Sequence, residues 1–236
     1  MNINKHLILL FSVLFFLFAV SVSSGCFRKN ESDVKSVVRN ELDQLKNLDS
    51  ETTQKYIPYT ELFPDATENT DLTDEINETF SLFFRKFNYK ISDVIVGTAN
   101  HSATVSVKLT TIDSKVLARD FKAELLRTQI TESAQAQTGS IKDSSRSLEA
   151  HYLILNHLLN TNDYDTAETD CNIQLVNTGN DKKEKWKIQR TNSLEDDLVG
   201  GLIADLADPD ILSPEDTLTV YLDTLQKLDL KEMTSY

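Results

Sequence analysis

Ala103, Val105, Val107 and Leu109 are apolar, and the residues between them, Thr104, Ser106 and Lys108, are polar. Alternation of this kind sends successive side chains to opposite faces of an extended chain, so the stretch predicts a half-buried strand. Before it, Tyr89 and Ile91 alternate, then Val94 and Val96, and the change of parity predicts an irregularity near Asp93. Gly97–His101 reads as the turn of this first hairpin. Thr166–Val176 alternates again through Ala167, Thr169, Cys171, Ile173 and Leu175, followed by a polar turn over Asn177–Lys183 with Gly179. Trp186 and Ile188 then face inward, with Lys185, Lys187 and Gln189 outward. Two antiparallel hairpins, about four strands, with one face buried, constrain the fold more than any other feature.

The remaining chain has helical spacing. Val34, Val37, Val38, Leu42, Leu45 and Leu48 form one stripe behind Ser32 as N-cap. Ser50 caps a short helix ending near Tyr56, and Pro58 stops it. Tyr59–Thr67 is a loop. A helix over Asp71–Phe87 carries Leu72, Ile76, Phe80, Phe83, Phe84 and Phe87 on one face. That aromatic face is read as core packing against a sheet, with a ligand-pocket wall as its functional alternative. Helices over Ser114–Gln137 (Leu117, Phe121, Leu125, Ile130 inward, Gly139 beyond the end) and Ser144–Asn160 (Leu148, Tyr152, Leu155, Leu159) form a helical hairpin between the two pairs of strands. Ser193 caps a helix from Leu194 carrying Leu198, Leu202 and Leu206, weakened by Gly200-Gly201, whose pairing suggests close approach to another element. The last helix starts at Ser213-Pro214. At an offset of 180 it repeats the first: Leu42, Asp43, Leu45, Leu48, Asp49 and Tyr56 match Leu222, Asp223, Leu225, Leu228, Asp229 and Tyr236. Either the chain ends where a second copy of the domain begins, or this is an ordinary terminal helix.

The N-terminus supplies an address. Lys5 precedes Leu7–Val20, fourteen residues of which only Ser12 is polar, and small residues then lead into Cys26. A positive start, a run shorter than a membrane span and a small-residue cleavage region make a secretory signal. Ser23-Ser24-Gly25-Cys26 resembles the lipobox of bacterial lipoproteins, with Ser23 where that family most often has Leu. The resemblance implies that Cys26 is lipidated and the chain cut before it. Phe27–Asn30 would be a short tether, with Arg28 and Lys29 near anionic headgroups.

Composition limits the partners. Asp and Glu number 37 against 24 Lys and Arg, a net charge of −13. Cleavage before Cys26 removes one lysine and no acid, so the mature chain is more acidic still. It is a poor ligand for nucleic acid, because little would displace the counterions of a phosphate backbone. Of the two cysteines, only Cys171 remains after lipidation. That excludes an intramolecular disulfide and a CxxC site, and Cys171 reads as a buried strand residue.

No catalytic motif is present: no HExxH, GxSxG or P-loop. His101 lies in a turn, and His151 and His157, six apart on one helix, cannot share a metal from that helix. Glu195, Asp196, Asp197, Asp205, Asp208, Asp210, Glu215, Asp216 and Asp223 form an acidic stretch without Lys or Arg. It is read as solvated helix ends; calcium or a basic partner is the alternative, but the spacing is not an EF-hand loop. Lys182, Lys183, Lys185, Lys187 and Arg190 are a basic counterpart that would pair with that stretch or face the membrane.

Three N-terminal helices, a hairpin and a second hairpin with an inward Trp resemble the nuclear-transport-factor-like, cystatin-like roll. The resemblance is carried by Val34–Tyr56, Phe80–Asp113 and Asp170–Leu202, including Tyr89-Lys90-Ile91, Ala103–Val107 and Lys185-Trp186-Lys187-Ile188. It is architectural and transfers no catalytic residue; the helical hairpin Ser114–Asn160 departs from the simplest form. The expectation is an α+β fold: a curved antiparallel sheet of about four strands wrapped by N-terminal helices, with an inserted helical hairpin and C-terminal helices. The expected organisation is a signal peptide over 1–25, a lipidated tether over 26–30, the roll over 31–207 and a terminal helix over 213–236. The resemblance implies a cavity on the concave sheet face, lined by Phe80, Phe83, Phe84, Phe87 and Trp186. The functional expectation is a non-catalytic binding or interaction module on the outer face of the cell membrane. It would be held there by its lipid, without metal or cofactor, and take a protein partner or a small apolar ligand. A small enzyme using the cavity, or assembly through the terminal helix, are the alternatives.

Overall fold

The computed structural model describes residues 30–57, 59, 62–64, 66, 72–97, 101–136, 145–179 and 184–233. The signal-like segment, Cys26 and the tether up to Lys29 lie outside these residues, as do Gly139 and the turn tips at 98–100 and 180–183. The fold is α+β, with eight helices and a four-stranded, open antiparallel sheet among the described residues. In chain order the elements are α1 (30–46), then α2 (Ser50–Tyr56), α3 (Thr73–Phe84), β1 (Asn88–Val96) and β2 (Ser102–Ile112). They continue with α4 (Ser114–Ala136), α5 (Leu148–Thr161), β3 (Thr166–Asn177), β4 (Trp186–Ile188), α6 (Asn192–Leu198), α7 (Leu202–Ala207) and α8 (Pro214–Met233). The strand order is β1-β2-β3-β4, and no described helix is long and apolar enough to cross a membrane.

The chain divides into two compact units drawn from alternating segments. The first unit takes its described residues from 30–41, 91–107 and 172–189. Its core follows the alternation: Ala103, Val105 and Val107 are buried, as are Ile173 and Leu175, while their neighbours face water. β3 and β4 pair antiparallel, Leu175 opposite Ile188 and Asn177 opposite Trp186. In β1 two successive residues, Ser92 and Asp93, are exposed, so the inward parity passes from Ile91 to Val94 and Val96 as expected.

The second unit, Leu42–Lys90, Lys108–Cys171 and Arg190–Tyr236, holds most of the helices. α3 packs on α5, and α4 packs on α5, α7 and α8. α5 begins at N-cap Ser147, whose side chain accepts from Ala150 N, and buries Leu148, Tyr152, Leu155, Leu158 and Leu159. The Tyr152 hydroxyl donates to the Tyr59 carbonyl at 2.7 Å, which ties the α2–α3 loop to α5.

Several boundaries differ from the sequence reading. α1 is already helical at residue 30, so Ser32 lies inside it and does not cap it. Leu48 has left the stripe: it is 40% exposed with φ of +61°, in the left-handed turn that ends α1. Asp49, not Ser50, caps α2, accepting from Thr52 N at 2.9 Å. The helix expected from Leu194 to Leu206 is two helices, capped by Thr191 and interrupted at Gly200 and Gly201 with φ of +67° and +90°. The apolar spacing continues across the break because both short helices bury their leucines, so periodicity alone does not reveal it. The expected close approach is there: a Cβ on Gly200 would meet Thr111 Oγ1 at 2.2 Å. The carbonyl of Gly200 accepts from Ser114 Oγ at 2.5 Å.

Candidate functional site

Phe80, Phe83, Phe84 and Phe87 are brought together, each no more than 3% exposed. Their ring centroids lie 5.3 Å (Phe84–Phe87), 5.4 Å (Phe83–Phe84) and 6.1 Å (Phe80–Phe84) apart. Tyr59 and Tyr152 close on Phe80 at 4.9 and 6.4 Å. This is the dense aromatic core that burial of large apolar area favours. Trp186, in the first unit, is 7% exposed and donates its indole N–H to Glu184 at 3.2 Å.

A cavity of about 430 Å³ lies elsewhere in the second unit. None of the four phenylalanines lines it. Its walls come from four places: Leu62, Phe63, Pro64 and Ala66 of the α2–α3 loop; Phe121, Lys122, Leu125 and Gln129 of α4; Ser145, Arg146 and His151 around the start of α5; and Leu206 and Ala207 of α7. Positions 121, 125 and 129 are four apart, which places them on one face of α4. Phe63 is the organiser. Its ring stacks on Phe121 at 5.1 Å, meets Tyr152 edge-on at 5.4 Å and lies 4.9 Å from the imidazole of His151. His151 is also 5.6 Å from Phe121, so two aromatic rings flank it.

The protonation of His151 follows from its surroundings. Nδ1 lies 2.8 Å from the carbonyl of Ser147, an oxygen that can only accept, so Nδ1 carries the proton and Nε2 is left as an acceptor. Burial and the nearby Lys122 ammonium lower the pKa of the ring, and the Ser147 carbonyl opposes them. The imidazole is therefore neutral at neutral pH. Pockets of this size, mostly apolar with a few convergent polar groups, are the usual form of a small-molecule site.

No family model, curated protein or solved structure matches this chain. The site therefore rests on its own chemistry. Among the described residues no group of three or more His, Cys, Asp or Glu is placed to hold a metal. The late acids act instead as local hydrogen-bond acceptors. Asp208 accepts from Asp210 N at 2.9 Å, Asp196 from Ala204 N at 3.1 Å, and Asp216 from Ser213 Oγ at 2.7 Å. One pair joins the basic cluster to the acidic stretch: Arg190 Nε donates to Glu195, which is 5% exposed. Burial raises the pKa of the Cys171 thiol, and Asp197 adds to it, so this thiol is a poor nucleophile.

Sequence reasoning missed Phe63 and His151. Phe63 sits in a segment without periodicity. His151 lies next to the stripe residue Tyr152, and nothing local shows that a loop about 90 residues earlier folds over it.

Proposed function

We propose that this protein is a lipid-anchored, extracytoplasmic, non-catalytic binding module whose ligand enters the cavity of the second unit. The cavity carries the reading: four separate chain segments converge on it and bring apolar and polar groups to its walls in comparable measure. The anchor rests on the lipobox-like Ser24-Gly25-Cys26. Mass spectrometry of the mature N-terminus is expected to find diacylated Cys26, and an unmodified Cys26 or a cut elsewhere removes the anchor. The binding half is tested on the full chain with three phenylbutyl probes: the carboxylic acid, the primary alcohol and the amine. At least one should bind saturably, and Leu125→Trp, which fills the cavity, should abolish that binding. Failure of all three to bind removes the cavity as a site.

A second reading, assembly of copies of this chain through α8, has an observation of its own. Leu218, Tyr221 and Leu222 are 58%, 46% and 55% exposed, while Val220 and Thr224 are buried. Leu218, Leu222 and Leu225 stand 180 residues after Val38, Leu42 and Leu45, which α1 buries. Two copies of α8 crossing antiparallel about a two-fold axis would set Leu218 opposite Leu225 and Tyr221 opposite Leu222, an isologous contact. Light scattering should then give a dimer mass that Leu222→Glu reduces to the monomer. A monomeric wild type at high concentration removes this reading.

A further inference from the structure

We infer that the ligand of this cavity is a small organic acid, with its apolar body against Phe63, Phe121 and Leu125 and its negative group beside Lys122. The inference rests on the cavity being a binding site and adds the ligand's chemical class. Among the described lining residues there are two cations, Lys122 and Arg146, and no carboxylate. In a chain with 37 acids and 24 bases, such a lining runs against the composition. Lys122 makes no ion pair among the described residues, and it lies close enough to His151 to act on the ring. Arg146 has interactions of its own, so the charge argument stands on Lys122 alone.

Consider what each ligand class would do. An apolar body without charge would cover the Lys122 ammonium and strip its water without offering a partner, which is unfavourable. A cationic ligand would add like-charge repulsion in a partly buried site. A carboxylate answers the ammonium with a charge-assisted hydrogen bond, the stronger kind. His151 does not compete for that role. Its one proton is held by the Ser147 carbonyl, and flanked by Phe63 and Phe121 it serves as part of the wall.

The probes named above separate the two claims. Calorimetry on the full chain at neutral pH should give 4-phenylbutanoate an affinity about tenfold or more above that of 4-phenylbutan-1-ol, the scale of one charge-assisted contact. Lys122→Met keeps the stem's packing and removes the charge. It should cut the acid's affinity to the alcohol's level or below. Equal binding of acid and alcohol by the wild type, or an acid preference that survives Lys122→Met, overturns the ligand class while the cavity stands. Binding of neither acid, alcohol nor amine overturns both.

Discussion

Phe84→Ala is expected to lower the unfolding free energy by about 3–5 kcal/mol, the range for removing a large aromatic from a packed core. The side chain is 2% exposed and has Phe83, Phe87 and Phe80 around it at 5.4, 5.3 and 6.1 Å. Truncation leaves a void that three rings on a helix and its turn cannot close without moving one another. A domain of ordinary stability has about 5–15 kcal/mol in total, so the variant would stand near the edge of folding. Urea titration followed by Trp186 fluorescence measures the loss as a shift in midpoint at unchanged slope. Phe84→Leu, which restores much of the volume, should cost well under half as much. A loss below about 1 kcal/mol for the alanine variant, the level of an ordinary substitution, would mean that the aromatic cluster is loosely packed.

Gly200→Ala is expected to cost about 3 kcal/mol or more, from two causes that can be separated. The first is backbone strain, about 1–2 kcal/mol for an L side chain in the left-handed region, here at φ of +67°. The second is contact: the new methyl would lie 2.2 Å from Thr111 Oγ1, and Thr111 is itself 1% exposed. Gly201 is the control. Its φ is +90°, but the nearest atom to an added Cβ is 3.7 Å away, so Gly201→Ala pays for strain alone. Thr111→Ala removes the hydroxyl and methyl and leaves only Cβ at 3.2 Å, so in that background Gly200→Ala should fall towards the Gly201 value. Equal costs at the two glycines in the wild-type background would show that close approach does not dictate the glycine at 200.

The strands were legible because their burial is local and periodic. Ala103, Val105, Val107 and Leu109 are each 4% exposed or less, as their alternation requires. The stripe of α5 was legible for the same reason, with Leu148, Tyr152, Leu155 and Leu159 all buried. Leu48 was misread because a stripe says nothing of where a helix stops. The break at Gly200-Gly201 was misread because the two short helices on either side keep apolar positions four apart. The cavity was not legible at all. It depends on Phe63 meeting Phe121 and His151, and those meetings are fixed by packing between segments far apart in the chain. The aromatic face of α3 is the strongest local signal in the sequence, and its rings pack against one another.

The chain passes between its two units five times, the last at Arg190. Each unit is completed only by its last segment, Asn172–Gln189 in the first and Arg190–Tyr236 in the second. Long-range closure of this kind slows folding. A chain so threaded is expected to complete both cores late in folding.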